Sequence, residues 1–232
     1  MNVDSRSISA EERSYLRELA KKQREYASLP IMEERKRAWY EHNKGQGGRP
    51  VVHVDLPLAA RLELFPPLRC TSPAAQEIEK ELLFWICNHE MIDDDKVVPD
   101  FFLVPLRIWN KLCNIDIPLK RAEDSAGRKY GYNWEPVITD LERDFNKLQS
   151  STWGVDYEGT EAHRVFVEEV LGDILPVVVK NKSLDWAGTL TGRVLKLMRM
   201  ENMFCAMYDY PDKFHQMMAF LRDDLMAWIR WQ

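Results

Sequence analysis

Val97-Val98-Pro99-Asp100-Phe101-Phe102-Leu103-Val104-Pro105 is a short apolar run interrupted by Pro99, and it predicts a buried strand from Val97 to Val104. A second, β-branched run, Val51-Val52-His53-Val54-Asp55, lies between two prolines and predicts an earlier core strand. Residues 175–179 form a third such run. Long segments of helical spacing separate the three runs. This alternation is typical of a parallel α/β sheet, either a barrel or an open doubly wound layer.

Helices are predicted before and between these strands. Ser9-Ala10-Glu11-Glu12 has the spacing of a capping box, in which the serine and the second glutamate satisfy each other's free backbone amides. A second helix is predicted to begin at Pro30 and to end before the glycine-rich residues 45–48, which we interpret as a linker. Ser72-Pro73 opens a long helix, which Asp93-Asp94-Asp95 is predicted to close in solvent.

The second half of the chain is predicted to be mostly helical. Residues 114–134 alternate polar and apolar side chains around Asp124-Ser125-Ala126-Gly127, which predicts a hairpin or an extended loop. Thr160-Glu161 caps a helix that ends at Gly172. From Ser183 onward we expect one helix after another, over residues 184–198, 201–208 and 211–231.

Composition narrows the classes of protein to consider. The 232 residues are 45% hydrophobic and 30% charged, which is typical of a globular chain, and the net charge of -5 disfavours a dedicated nucleic-acid binder. The sequence contains no run of about 18 apolar residues, and its amino terminus is polar, so we expect neither a membrane span nor secretion. The four cysteines are scattered and form no CxxC pair, which favours reduced thiols in the cytoplasm.

Several segments, in order, resemble the amino-terminal half of the uroporphyrinogen decarboxylase superfamily, especially its methyl-transferring branch. They are Leu29–Trp39, Val97–Pro105, Met203–Pro211 and Phe214–Met218. The resemblance implies a partial (β/α)8 barrel of the TIM type, with substrates bound at the carboxyl ends of the strands. It also implies two regions, a helical leader and linker at residues 1–48 and the amino-terminal part of the barrel at residues 49–232.

The resemblance implies two activities. The decarboxylases remove acetate carboxyl groups from a porphyrinogen without a cofactor, whereas the methyl-transferring relatives exchange a methyl group with a corrinoid protein. Asp100 falls on the aspartate with which the decarboxylases hold the pyrrole nitrogens, so it is the candidate catalytic residue. A carboxylate between Pro99 and Phe101 would lie in apolar surroundings, where it interacts more strongly with a cation. The structural alternative is an ordinary loop aspartate.

His53 and Asp55 are the candidate substrate-binding residues. They are two residues apart on a predicted strand, so their side chains share a face and would point toward the barrel mouth. Alternatively, they hydrogen-bond neighbouring backbone. The decarboxylases carry an arginine-containing loop soon after this strand, and residues 57–69 offer Arg61 and Arg69 without that motif. This departure argues against a porphyrinogen as substrate.

No metal site is predicted within the chain. The methyl-transferring branch holds zinc with a His-x-Cys motif and a later cysteine, and none of the five histidines belongs to such a motif. We therefore expect zinc only through carboxy-terminal strands that this chain does not reach. The sequence also lacks a G-x-G-x-x-G segment, a phosphate loop, a G-x-S-x-G elbow and an H-E-x-x-H pair.

Three predicted strands fall short of the eight that close a barrel, so the chain is expected to be incomplete. Three explanations are open: the chain is part of a longer protein, a second polypeptide supplies the other half of the barrel, or the chain associates with itself.

The leading hypothesis is corrinoid-dependent methyl transfer, with a corrinoid protein as partner. The alternatives are a porphyrinogen-type decarboxylase and a non-catalytic interaction protein. In the latter, the methionines and Trp85, Trp109, Trp186 and Trp228 build helix faces for a partner.

Overall fold

The structure, a computed structural model, describes residues 7–123, 129–181 and 189–232. They belong to two compact units. Unit 1 contains the described residues of Met1–Pro105 together with Glu158–Lys180, and unit 2 contains those of Leu106–Tyr157 together with Asn181–Gln232. Each unit is therefore built from two separate segments of the chain.

The helices and strands alternate irregularly along the chain. The described helices are α1 (Ala10–Ala27), α2 (Pro30–Asn43), α3 (Leu58–Leu64), α4 (Pro73–Met91), α5 (Leu141–Asp144), α6 (Tyr157–Leu171), α7 (Leu190–Leu197), α8 (Met200–Asp209) and α9 (Pro211–Trp231). The described strands are β1 (Phe102–Pro105), β2 (Ile108–Lys111), β3 (Leu119–Glu123), β4 (Lys129–Trp134), β5 (Thr152–Val155) and β6 (Val177–Lys180).

The predicted partial barrel is wrong. Across the described ranges, the strands form three separate sheets of two strands each. β1 and β6 are parallel, with Phe102 opposite Val177, whereas β2 pairs with β5 and β3 pairs with β4 in antiparallel fashion. A barrel needs a continuous ring of paired strands, and these pairs do not join one another. The α/β character of the chain remains, in a mainly helical form.

The run Val51–Asp55 shows why the barrel prediction failed. It is extended, but it belongs to no strand, because its backbone amides bind aspartate side chains instead of a neighbouring strand. The predicted strand from Val97 begins only at Phe102. Prolines on both sides of the first run, and Pro99 inside the second, limit the ladder hydrogen bonds that either stretch can make.

Unit 1 is organised around α1, α4, α6 and the β1–β6 pair. Its core includes Leu16, Ile78, Leu82, Val104 and Val170, all fully buried. The predicted capping box of α1 is confirmed: the Glu12 amide donates to Ser9 Oγ at 3.0 Å, and the Ser9 amide donates to the Glu12 carboxylate at 2.9 Å. The same carboxylate accepts hydrogen bonds from the amides before α4, so one residue joins the starts of two helices.

Unit 2 has a separate core around α7, α8 and α9. Leu197, Met198, Met217 and Leu221 are fully buried in this core. Two predicted features lie partly outside the described residues, namely the hairpin centre at residues 124–127 and the helix start at residues 184–188. The flanking strands β3 and β4 form the predicted hairpin, and α7 accounts for the rest of the predicted helix.

A buried polar cluster ties α9 to a loop of unit 2. The Asp224 carboxylate accepts hydrogen bonds from the Ser151 amide at 2.7 Å, from Ser151 Oγ at 2.6 Å and from Arg193 at 3.2 Å. Ser151 Oγ in turn accepts from the Cys113 amide at 2.8 Å. Cys113 and Asn114 adopt positive φ values of 52° and 54°, which turns the backbone toward Ser151.

Candidate functional site

The candidate site is a hollow of about 270 Å³ in unit 1, which we call the α2 hollow. Helix α2 contributes three lining side chains at helical spacing, Lys36, Trp39 and Tyr40, because positions i, i+3 and i+4 share a face. Trp85 comes from α4, and the remaining lining residues are His53, Lys96 and Val97. Three aromatic side chains, one imidazole and two ammonium groups therefore line an open hollow on the surface of unit 1.

Two aspartates hold the segment that carries His53. The Asp95 carboxylate accepts two hydrogen bonds from Arg49, at 2.5 and 2.9 Å, and one from the Val52 amide at 2.7 Å. The Asp94 carboxylate accepts from the Val54 amide at 2.9 Å. Carboxylates thus replace the missing strand partner on both sides of His53, and they fix its backbone beside α2.

These aspartates correct one prediction. Asp93 is exposed, as expected for a helix end in solvent, but Asp94 and Asp95 are buried. Hydrogen bonds from Arg49 and from the Val52 amide lower the pKa of Asp95 to about 2, against the opposing effect of desolvation. Burial raises the pKa of Asp94, yet hydrogen bonds from Lys96 and the Val54 amide outweigh it and leave the pKa lowered. Both side chains are therefore anionic at neutral pH.

The two lysines of the hollow are held by acids. Lys96 is buried; its Nζ lies 2.6 Å from Asp94 Oδ2 and also donates to the Val54 carbonyl. Lys36 Nζ lies 2.8 Å from Glu33, and this hydrogen bond is the main cause of its raised pKa. The walls therefore carry two ammonium groups, each held by a carboxylate.

The structure places the three predicted site residues near this hollow. His53 lines it and is half exposed, and His53 Nε2 lies 3.7 Å from Asp55 Oδ1. Asp100 is exposed in the loop before β1. After the hydrogen bond with Glu33, the charge of Asp100 also contributes to the raised pKa of Lys36.

Sequence reasoning did not identify the aromatic walls. Trp39 closes the first segment of the family resemblance, and Trp85 was assigned to a helix face for a partner. In the structure, Trp39 Nε1 donates to the Asp95 carbonyl at 2.7 Å, and Trp85 Nε1 donates to Glu81 at 3.1 Å. The spacing of Lys36, Trp39 and Tyr40 on one helix face was the available clue, but it does not reveal what covers that face.

Comparisons with known proteins add no identification. The chain matches no family model, no curated protein and no solved structure. The functional argument therefore depends on the residues of the hollow and on the sequence resemblance described above.

The described residues do not fit the zinc site of the methyl-transferring branch. Within the described ranges, no group of three or more His, Cys, Asp and Glu side chains is placed to hold a metal ion. Cys70, Cys87 and Cys113 are buried, and burial raises the pKa of Cys70 and of Cys113 to about 12, which disfavours the thiolate that zinc requires. We derive no step that uses zinc.

Among the helices that the structure describes, none combines the length and the apolar character needed to cross a bilayer.

Proposed function

We propose that this chain takes part in corrinoid-dependent methyl transfer and binds the methyl donor in the α2 hollow. The observation that carries the proposal is that His53, which neighbours Asp55, lines the hollow together with Lys36, and the charge of Asp100 contributes to the raised pKa of Lys36. The sequence resemblance singles out Asp100, and the spacing on one extended segment singles out His53 and Asp55. The partner would be a corrinoid protein, which receives the methyl group.

The lining favours one class of donor, a small aromatic methyl ether. Trp39, Tyr40 and Trp85 offer faces and edges for a single aromatic ring. Lys36 and Lys96, each of which also pairs with a carboxylate, are the ammonium donors that the lining offers to the negative charge developing on the departing oxygen. The methyl carbon–oxygen bond breaks with its electron pair on oxygen, the methyl group passes to the reduced corrinoid, and His53 is the proposed donor of the proton that gives the free phenol.

The decarboxylase alternative has less support from this geometry. A substrate with several carboxylates requires clustered arginines, and the lining of the α2 hollow offers lysines instead. The nearby Arg35 and Arg49 are engaged with Asp93 and Asp95. Each guanidinium thus already has a carboxylate partner.

Binding can be tested with 4-methoxybenzoate and the full chain. We expect the ligand to change tryptophan fluorescence, because Trp39 and Trp85 line the hollow. Tyr40→Ala should weaken binding roughly 2- to 10-fold, the range expected for one aromatic contact. Tyr40 is 68% exposed, and Tyr157→Ala, at a tyrosine 71% exposed outside the hollow, is the matched control.

Activity can be tested with reduced cobalamin in place of the partner protein. Formation of methylcobalamin from 4-methoxybenzoate, followed by absorbance, should occur with the wild type and fall at least tenfold with His53→Ala, which removes the proton donor. Equal rates with and without the chain would contradict the proposal, as would binding that Tyr40→Ala and Tyr157→Ala weaken equally.

A second candidate function, a non-catalytic interaction protein, is favoured by the outer face of α8. Met200, Phe204, Met207 and Tyr208 recur at helical spacing and are 52%, 58%, 49% and 88% exposed. We call this surface the α8 stripe. The exposed acids Glu201 and Asp209 flank it, so the expected partner is an amphipathic helix with basic ends.

The other tryptophans proposed for this function differ in their exposure to solvent. Trp109 is exposed, whereas Trp228 is buried in unit 2, and Trp186 lies outside the described residues. A labelled 18-residue helix with a leucine stripe and lysine ends should bind the wild type in a fluorescence anisotropy titration. Phe204→Glu should abolish this binding, whereas Tyr132→Glu, at an exposed aromatic residue of β4, should not. Binding that survives Phe204→Glu would contradict this function.

A further inference from the structure

A second space in unit 1 lies between α3 and α4 and is unrelated to the predicted site residues. We call it the α3–α4 cavity; its volume is about 480 Å³, within the range of about 300–1,000 Å³ that small-molecule sites occupy. Leu62 and Phe65 line one side, and Leu83 and Phe84 line the other. These walls suit a hydrocarbon or aromatic body.

Arg61 gives the cavity a polar end. Its Nε is buried, and nothing in the described part of the chain accepts a hydrogen bond from it. The guanidinium carbon lies 5.5 Å from the centre of the Phe84 ring, so the charge is held against an apolar wall. A buried charged donor without an acceptor is unfavourable, and a carboxylate in the cavity would satisfy it with two parallel hydrogen bonds.

The balance of charge around the cavity favours an anion. Arg61 and Lys80 contribute two positive charges to the lining, and Glu63 contributes one negative charge. Glu63 and Lys80 are both exposed, whereas Arg61 is partly buried, so the least hydrated charge is positive. One carboxylate therefore matches the lining better than a neutral or cationic group does.

From these observations we infer that the α3–α4 cavity binds an amphipathic organic monocarboxylate. The carboxylate pairs with the Arg61 guanidinium, and the hydrocarbon part packs against Leu62, Phe65, Leu83 and Phe84. The inference does not depend on methyl transfer, because the α2 hollow and this cavity share no lining residue.

Isothermal titration calorimetry of the full chain with decanoate, below its micelle concentration, tests the inference. Decanoate should bind with one site per chain, and decanol, which has the same hydrocarbon length without the charge, should bind at least tenfold more weakly. Absence of decanoate binding, or equal affinity for the two ligands, would overturn the inference.

Substitutions at Arg61 and at two control residues test where decanoate binds. Arg61→Gln should weaken decanoate binding about tenfold or more, and Arg61→Lys should weaken it less, since the charge remains and the bidentate geometry is lost. Arg37→Gln, at an exposed arginine of α2, and His53→Ala, in the hollow, should leave affinity for decanoate unchanged.

A substitution that fills the cavity tests the same inference without altering Arg61. Leu62 is 49% exposed, so Leu62→Trp is tolerated while it fills the cavity mouth, and it should block decanoate without changing the melting temperature. Binding unchanged in both Arg61→Gln and Leu62→Trp would place decanoate elsewhere on the chain and refute the assignment.

Discussion

Asp224 is buried and accepts hydrogen bonds from the backbone and side chain of Ser151 and from the guanidinium of Arg193. Arg193 is itself buried, so removal of the carboxylate leaves a buried positive charge without its partner. We expect Asp224→Ala to lower the free energy of unfolding by about 3–5 kcal/mol in urea denaturation.

The adjacent residue supplies a matched control. The Asp223 side chain is 68% exposed and pairs with the exposed Arg222, so Asp223→Ala should leave the urea midpoint nearly unchanged. If the two variants unfold at the same urea concentration, the buried cluster does not contribute to stability as described.

A second residue-scale prediction concerns pH. Hydrogen bonds from the amides of Ser72, Ser9 and Thr71 lower the pKa of Glu12 from 4.5 to about 2. Because the folded-state pKa is the lower one, this stabilisation is fully present above about pH 4.5 and is lost as the pH falls toward 2. The free energy of unfolding should therefore fall less steeply with acidification for Glu12→Gln than for the wild type.

The control for this pH series is Glu11→Gln, which removes an exposed carboxylate from the same helical turn. It should retain the wild-type slope between pH 5 and about 2, measured by urea denaturation at each pH. A wild-type slope in Glu12→Gln would show that the capping carboxylate is not the group that titrates.

At the scale of elements, the extended segment beside α2 depends on side chains for its position. Asp95 binds Arg49 and the Val52 amide, so Asp95→Asn should release residues 49–54. Hydrogen–deuterium exchange should then increase at the Val52 amide by at least tenfold, because its acceptor is weakened. The protection of α4 should not change.

Asp93→Asn is the control, since the Asp93 side chain is fully exposed and lies 3.4 Å from Arg35. It should leave exchange at Val52 unchanged. Rapid exchange at Val52 already in the wild type would contradict the tethered arrangement of this segment.

The same elements show what the sequence can and cannot predict. Capping at Ser9 and helix starts at Pro30 and Ser72 were correctly predicted, because the responsible groups are close in sequence. The run Val51–Asp55 was predicted as a strand, but its amides bind carboxylates some 40 residues later. Local β propensity describes an extended backbone, and it does not specify whether the partner is a strand or a side chain. The pairing of β2 with β5 was not foreseen for the same reason.

The candidate site was predicted only in part. His53 and Asp55 lie 3.7 Å apart on an extended segment and not on the predicted strand. The contributions of Lys36, Trp39 and Lys96 depend on how α2 packs beside residues 93–97, and spacing within one helix does not contain that information. Whether Asp100, His53 and Asp55 act on a substrate stays a prediction.

At the scale of the whole molecule, two separate cores predict local responses to mutation. Leu82 in unit 1 and Leu221 in unit 2 are fully buried in different clusters, and truncation of either to alanine should cost about 2–5 kcal/mol. Hydrogen exchange should rise mainly in the unit that carries the substitution.

Hydrogen exchange measured by mass spectrometry distinguishes local unfolding of one unit from unfolding of both units together. Leu82→Ala should affect peptides from α1, α4 and α6, and Leu221→Ala should affect peptides from α7 to α9. Equal increases in both sets for either variant would show that the two cores unfold together.

The pairing of β1 with β6 has a consequence for synthesis on the ribosome. Both segments of unit 1 are needed for this sheet, and the first segment of unit 2 lies between them in the chain. At about 5–20 residues per second, β6 is made several seconds after β1. During that interval the nascent chain carries Phe102 and Val104 without the strand that covers them, so β1 is a segment that a chaperone would protect until translation passes Lys180.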